Sequence, residues 1–263
     1  MKKPLFLADV GDFVSVGLKG FAPRWRAREV WGAPPDQREK LRKERLDTIP
    51  AVPEAKAVVE ENPHTTVYTQ WLRHPRLQWA VRQLEIWKHE PRARLTFRLR
   101  RTSSEAPEAF FIVSASPCEG TMPETSCGGV PFVPFADQLP GTCRDYFAID
   151  GWVRYAATEG QWLWVSRDAP LVTFGEPQVL ARRTDPPKAM HRVLAMVFNN
   201  YWYTNFVGDS HGVMEFQFDL CWREKSDKTR PEDLAATLVA EPQVLIQPGL
   251  NEDPIFIRRL YQP

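Results

Sequence analysis

Cysteine and histidine are scarce in this chain, neither sign of charge prevails, and no long apolar run occurs. The four cysteines, Cys118, Cys127, Cys143 and Cys221, have no CxxC spacing and form no dense framework, which excludes a disulfide-stapled scaffold and leaves reduced thiols as the expectation. A formal net charge of +1 provides no footprint for nucleic acid or an anionic membrane. No apolar stretch approaches the roughly 18 residues of a membrane span, and the opening MKKPLFLADVGDF loses its apolar character too soon for a signal peptide. The chain therefore reads as soluble and cytoplasmic. Long helices are scarce too, because 24 prolines interrupt the 263 residues.

Ten tryptophans, with Phe, Val and Thr, supply strand formers, so the balance points to an all-β protein. Residues 6–16 read as an opening strand. Residues 36–47, DQREKLRKERLD, are almost wholly charged and read as a solvated helix or linker, which sets 1–58 apart from a β domain over 59–263. From Thr65 strand signals recur. In 66–72 and 77–87 they include the alternation of Leu77, Trp79 and Val81 with Gln78, Ala80 and Arg82. In 94–100 Leu95, Phe97 and Leu99 face one way and Arg94, Thr96, Arg98 and Arg100 the other. Strands are also expected at 109–114, 146–155, 161–166, 171–174, 179–181, 244–247 and 255–260. The Gly- and Pro-rich stretch 117–142 is either a lid over a cleft or a cover for a sheet edge. Residues 229–239 form the one convincing helix, with Pro231 in its first turn, Glu232 and Asp233 at its positive end, and Leu234 and Leu238 on one face.

The stretch around which the rest is organised is 196–222, MVFNNYWYTNFVGDSHGVMEFQFDLCW. Two strands flank a polar, aromatic connection. That connection suits a sugar-facing rim and equally a densely hydrogen-bonded sandwich corner.

Three blocks, PGTCRDYFAIDGWV at 140–153, VSRDAPLVTFG at 165–175 and FNNYWYTNF at 198–206, resemble in this order the C-terminal β region of glycoside hydrolase family 38, the α-mannosidase family. The resemblance covers roughly residues 60–222. It implies a large antiparallel β-supersandwich of the galactose-mutarotase-like kind, packed in the family against a catalytic domain whose sugar cleft it helps to wall. In that family an N-terminal α/β barrel carries the zinc ligands, the aspartate nucleophile and the acid. Here the alternating strands and helices of such a barrel are absent, and His64, His74, His89, His191 and His211 include no His-x-Asp pair. The resemblance thus implies an accessory module without a cofactor of its own. Zinc and catalysis would belong to a barrel domain on another chain or lost upstream, and the shared partner would be a mannoside-like carbohydrate.

A glycosidase needs two carboxylates about 5 to 10 Å apart. Asp145, Asp150 and Asp168 lie on the matching blocks, but Arg144 and Arg167 directly precede two of them, which favours structural ion pairs. Asp209 and His211, two apart, face the same way on extended chain, yet they are too few for a zinc site. Sugar contact is the better use of such groups, since a saccharide wants aromatic platforms beside amides, carboxylates and guanidinium groups. The expected contact set is Arg144, Asp145, Tyr146, Asn199, Asn200, Trp202, Thr204 and Asn205, with Trp152, Trp162 and Trp164 assigned to core packing. Two other readings stay open: a self-sufficient sugar-active enzyme using His211 or His191 with a carboxylate, and a scaffold with no sugar contact.

Overall fold

The structure, a computed structural model, describes residues 7, 9–19, 26–104, 106–201 and 208–240. In chain order its elements are β1 (Val10–Leu18), α1 (Arg26–Trp31), α2 (Pro35–Arg45), β2 (Leu46–Pro50), β3 (Val52–Pro53), β4 (Val58–Glu61), β5 (Thr65–Arg73), β6 (Leu77–Trp87), β7 (Arg92–Arg101) and β8 (Glu108–Ala115). They continue with β9 (Glu124–Cys127), β10 (Val130–Phe132), β11 (Phe147–Ala148), β12 (Trp152–Ala156), β13 (Gly160–Ser166), β14 (Leu171–Phe174), β15 (Arg192–Asn199), β16 (Gly212–Glu224) and α3 (Pro231–Val239). Among these residues no helix is long and apolar enough to cross a membrane. The strands expected at 244–247 and 255–260 lie outside the described residues.

The described strands make two antiparallel sheets. One has six strands in the order β11-β14-β15-β8-β1-β2; the other has ten, running β10-β9-β12-β13-β16-β7-β6-β5-β3 with β4 also on β5. Alternating side chains from both inner faces fill the space between them, as a sandwich core requires. Phe13 stacks on Phe97 with ring centroids 5.2 Å apart, and Trp164 on Phe218 at 5.3 Å. Trp162 and Trp164 belong to this core, while Trp152 packs in a second cluster beneath α3. The fold is an all-β supersandwich.

Helix α3 follows its sequence signals. Leu234, Ala235 and Leu238 bury against Trp152, Leu163, Val165 and Cys221 on the outer side of the ten-stranded sheet. Arg167 donates to the carbonyls of Leu238 and Val239, satisfying the helix's C-terminal end. The charged run 36–47 is largely α2, and α1 precedes it, so α3 is joined by two further helices. Residues 179–181 are not a strand, and 117–142 is not one long loop: β9 and β10 form a hairpin across Gly128 and Gly129, both at positive φ, that lengthens the ten-stranded sheet.

Two local patterns differ from expectation. Strand β6 is inverted with respect to apolarity: Ala80, Arg82 and Leu84 point into the core, and Trp79 and Val81 face outward, half-buried. The inversion is sustained because four of the five N–H groups of the buried Arg82 guanidinium are used, two on Gln70 Oε1 (2.7 and 3.2 Å) and two on the carbonyls of Leu7 and Gly11 (both 3.0 Å). Gly11 sits in the left-handed region within a β-bulge on β1, and that bulge aims its carbonyl inward. The second difference concerns β15 and β16. They do not pair with each other, since β15 lies between β14 and β8 in one sheet and β16 between β13 and β7 in the other. Strand β15 thus ends in one sheet and β16 begins in the other, a crossover whose described ends are 200–201 and 208–211.

Candidate functional site

The expected contact residues divide into three groups. Trp202, Thr204 and Asn205 lie outside the described residues. Asp145 is 4% exposed, and its carboxylate accepts three backbone N–H groups, from Ala181 (2.9 Å), Arg182 (2.8 Å) and Arg183 (2.7 Å). Those bonds hold a turn in which Leu180 and Arg182 adopt positive φ, a conformation costly for side-chain-bearing residues. The expected Arg144–Asp145 ion pair is thus replaced: Arg144 donates instead to the carbonyls of Thr184 (2.7 Å) and Gln138 (3.0 Å). Tyr146 is half-buried against Val179, Leu194 and Met196, on the outer face of the six-stranded sheet.

Asn199 and Asn200 begin the crossover. Asn200 is 1% exposed; its Oδ1 accepts the Glu108 N–H (2.6 Å) and its Nδ2 donates to the Ala106 carbonyl (2.9 Å). Asn199 accepts the Tyr201 N–H (2.9 Å), and Tyr201 donates its hydroxyl to the Val16 carbonyl (2.9 Å). Tyr146 and Tyr201 pack on the same apolar cluster, so the two motifs are neighbours. The polar groups of Asp145 and Asn200 are nonetheless spent on the chain's own backbone, which is the chemistry of a sandwich corner.

The other end of the crossover is equally occupied. Arg101, fully buried, donates to Glu108 Oε1 (2.6 Å) and to Asp209 Oδ1 (2.6 Å), and its guanidinium carbon lies 4.1 Å from the Phe198 ring centroid. Asp209 also accepts from the Ser103 hydroxyl (2.6 Å) and the Ser104 N–H (3.3 Å). Burial pushes its carboxyl up, but the bonds from Ser103, Arg101 and Ser104 prevail and hold it down at about 2. His211 Nδ1 stands 3.3 Å from Asp209 Oδ2, so this pair is indeed brought together. Its carboxylate is committed to an arginine, which makes it a poor base. Among the described residues no three His, Cys, Asp or Glu side chains gather as a metal would need.

The carboxylates of the other matching blocks also hold backbone. Asp168 accepts the Gln217 N–H (2.8 Å), while Arg167 turns to Asp219 (3.3 Å) rather than to its neighbour. Asp150 accepts from Gly128, Gly129 and the Ser126 hydroxyl, and the Gly129 and Ser126 bonds hold its carboxyl below the usual range. It borders a cleft of about 320 Å³ beneath α3 that Trp152, Ser166 and Glu232 also line.

On a different surface polar side chains bond to one another across and along the strands, Gln83 to Thr69 (3.3 Å) among them, and lie beside aromatic rings. Cross-strand register carries three rows over the outer face of the ten-stranded sheet: Trp79–Arg100–Val213, Trp71–Val81–Arg98–Glu215, and Val58–Thr69–Gln83–Thr96–Gln217. Trp71 is 52% exposed, and its ring meets that of Trp79 edge-on at 6.2 Å. Arg98 pairs with Glu215, which also accepts from Gln217 (2.8 Å). At about 4.8 Å between strands, β5 to β16 spans about 14 Å, room for two or three sugar rings. Helix α3 covers the far half of this face, and beside it Arg92, Arg94 and Arg167 converge on the buried Asp219. The available signal was period 2: Leu72 inward places Trp71 outward, among Thr69 and Arg73.

No protein-family model and no curated protein matches the chain. Among solved structures, an α-mannosidase from Enterococcus faecalis V583 is similar over 88% of this chain and 27% of its own, with TM-score 0.54 and 8% identity. A glycosyl hydrolase family 38 protein from Enterococcus faecalis is similar over 88% and 28%, with TM-score 0.53 and 8% identity. A galactose mutarotase related enzyme from Lactobacillus acidophilus is similar over 67% and 74%, at TM-score 0.33 and 11% identity. The chain thus spans about a quarter of the length of the two Enterococcus proteins. At such identity the relation to family 38 is one of fold.

Proposed function

We propose that this chain is a cytoplasmic, carbohydrate-binding β-sandwich module of an α-mannosidase-like glycoside hydrolase, completing a sugar cleft and not catalytic alone. The observation that carries the reading is the open Trp71–Trp79 face, where two indoles border rows of amides, hydroxyls and an Arg–Glu pair. An indole offers an apolar plane to the C–H face of a pyranose, and Gln83, Gln217 and Glu215 offer acceptors and donors to its hydroxyls. The fold shared with the two Enterococcus proteins supports the family context. Asp145 and Asn200, expected to touch sugar, here serve as the staples that shape the loops beside the six-stranded sheet.

The zinc that the resemblance assigns to a separate barrel finds no three-ligand set among the described residues. The module's own contribution is binding: it holds a mannoside in place while nucleophile and acid come from another domain. The test is a titration with α-1,2-mannotriose followed by tryptophan fluorescence, alongside aryl α-mannoside hydrolysis with added zinc and with chelator. Saturable quenching that W71A and W79A abolish, with no turnover in either condition, is expected. Quenching that survives both substitutions, or zinc-dependent turnover by the chain, would overturn the reading.

A further inference from the structure

The arginines of the ten-stranded sheet's outer face are nearly all committed. Arg92, Arg94 and Arg167 lie 2.9, 3.1 and 3.3 Å from Asp219, and Arg98 pairs with Glu215. Arg101, next along β7, is buried on Glu108 and Asp209. Arg100 differs: it is exposed, and among the described residues no carboxylate pairs with it. Directly across the sheet it meets Trp79 on β6 and Val213 on β16, and the diagonal carboxylate Glu215 is taken by Arg98 and Gln217. On the other side of Trp79 stands Arg73, one residue beyond the Leu72–Ala80 pair; its contact with Glu54, at 3.8 Å, is the weak kind that exposed side chains make. By register, Trp79 thus has an arginine on the neighbouring strand to either side.

We infer that this face takes a carboxylate-bearing saccharide, a uronic acid residue whose ring stacks on Trp79 and whose carboxylate is held by Arg100. The inference rests on the sugar-binding reading above and adds the substrate class. A uronate carboxylate projects from the edge of the ring, and Arg100 stands one strand spacing, about 4.8 Å, from Trp79, so one residue can meet both. A guanidinium's planar fork matches a carboxylate through two parallel hydrogen bonds and gains nothing comparable from a hydroxyl. A site meant for neutral sugar alone would be served by the amides of Gln83 and Gln217, without an unneutralised cation between an indole and a valine. Arg73, on the neighbouring strand to the other side, adds positive potential to the same face.

The test is calorimetric titration of the full chain with mannotetraose, tetra-mannuronate and a sulfated mannotetraose, at low and high salt. Tetra-mannuronate is expected to bind about tenfold more tightly than mannotetraose at low salt, with the advantage shrinking as salt screens the pair. R100Q should cost the uronate about tenfold more than it costs the neutral sugar, and W79A should weaken both. Equal or weaker binding of the uronate, or a preference that survives R100Q in a variant of unchanged circular dichroism, would overturn the inference while leaving the sugar-module reading standing. Stronger binding of the sulfated ligand would overturn the carboxylate assignment. Binding of none of the three would overturn both readings.

Discussion

Lowering the pH from 7.5 to 4.5 is expected to weaken this sandwich through one side chain, His74. It lies in the turn between β5 and β6, 3% exposed, with Nε2 3.1 Å from Ser15 Oγ on β1 and 3.2 Å from the Ile49 carbonyl on β2. Arg76 N–H donates to Nδ1 (3.2 Å), so Nδ1 is the acceptor and the proton sits on Nε2. The ring also meets Phe13 edge-on at 5.2 Å, locking one sheet to the other. A second proton would have to enter on Nδ1, facing that N–H. Burial is the main cause that lowers its pKa to about 4; the Ile49 bond opposes this and the Arg76 charge assists it.

In the unfolded chain the group titrates near 6.5. Between 6.5 and about 4 the unfolded chain therefore binds a proton that the folded one refuses, and stability falls as pH falls. The contribution is complete above 6.5 and gone at about 4; at about 1.4 kcal/mol per pH unit it amounts to roughly 3 kcal/mol. Urea denaturation across this range should show that loss in the parent chain. His74→Gln, which cannot protonate, should start lower at pH 7.5 and lose roughly 3 kcal/mol less. Parallel pH profiles for the two proteins, or a His74 pKa at or above 6.5 by NMR, would refute the reasoning.

Replacing Asp219 by alanine strands the guanidinium groups of Arg92, Arg94 and Arg167 around an apolar site, and should cost about 3–5 kcal/mol of the unfolding free energy measured by urea denaturation. Asn200→Ala leaves the Glu108 N–H and the Ala106 carbonyl buried without partners, a loss of about 2–4 kcal/mol that a thermal melt would show as a drop of roughly 6–10 °C. At Gly160 an added Cβ would stand 2.3 Å from the Arg223 carbonyl and 2.8 Å from the Trp222 ring, so Gly160→Ala should destabilise by about 1–3 kcal/mol; an unchanged melting temperature would mean that β13 and β16 can separate freely.

How much of this was legible follows from which interactions are local. Strand β7 could be read outright, because Leu95, Phe97 and Leu99 are apolar on the inner face and arginine dominates the outer one. Strand β6 misled because its inward residues are a small alanine and an arginine, and Arg82 is tolerable inside only through Gln70 and two β1-side carbonyls over 70 residues away. Strands β15 and β16 were each legible, yet their separation into two sheets was not: nothing within 196–222 specifies β8 and β7 as their partners. The same distance problem governs the candidate site. Asp145 and Asn200 carry the side-chain chemistry of sugar contacts, and only the positions of Ala181, Arg182, Arg183 and Glu108 show what those groups hold. Trp71 and Trp79 read as strand formers until the register set them side by side on an open face.

The central claim, that the outer face of the ten-stranded sheet is where saccharide binds, is tested most directly by mapping backbone amide shifts during a mannotriose titration. Saturable shifts are expected to concentrate on β5, β6, β7 and the first half of β16, around Trp71, Trp79, Gln83 and Gln217, together with both indole N–H signals. Shifts confined instead to residues 144–146 and 199–201, or no shifts at millimolar sugar, would contradict it.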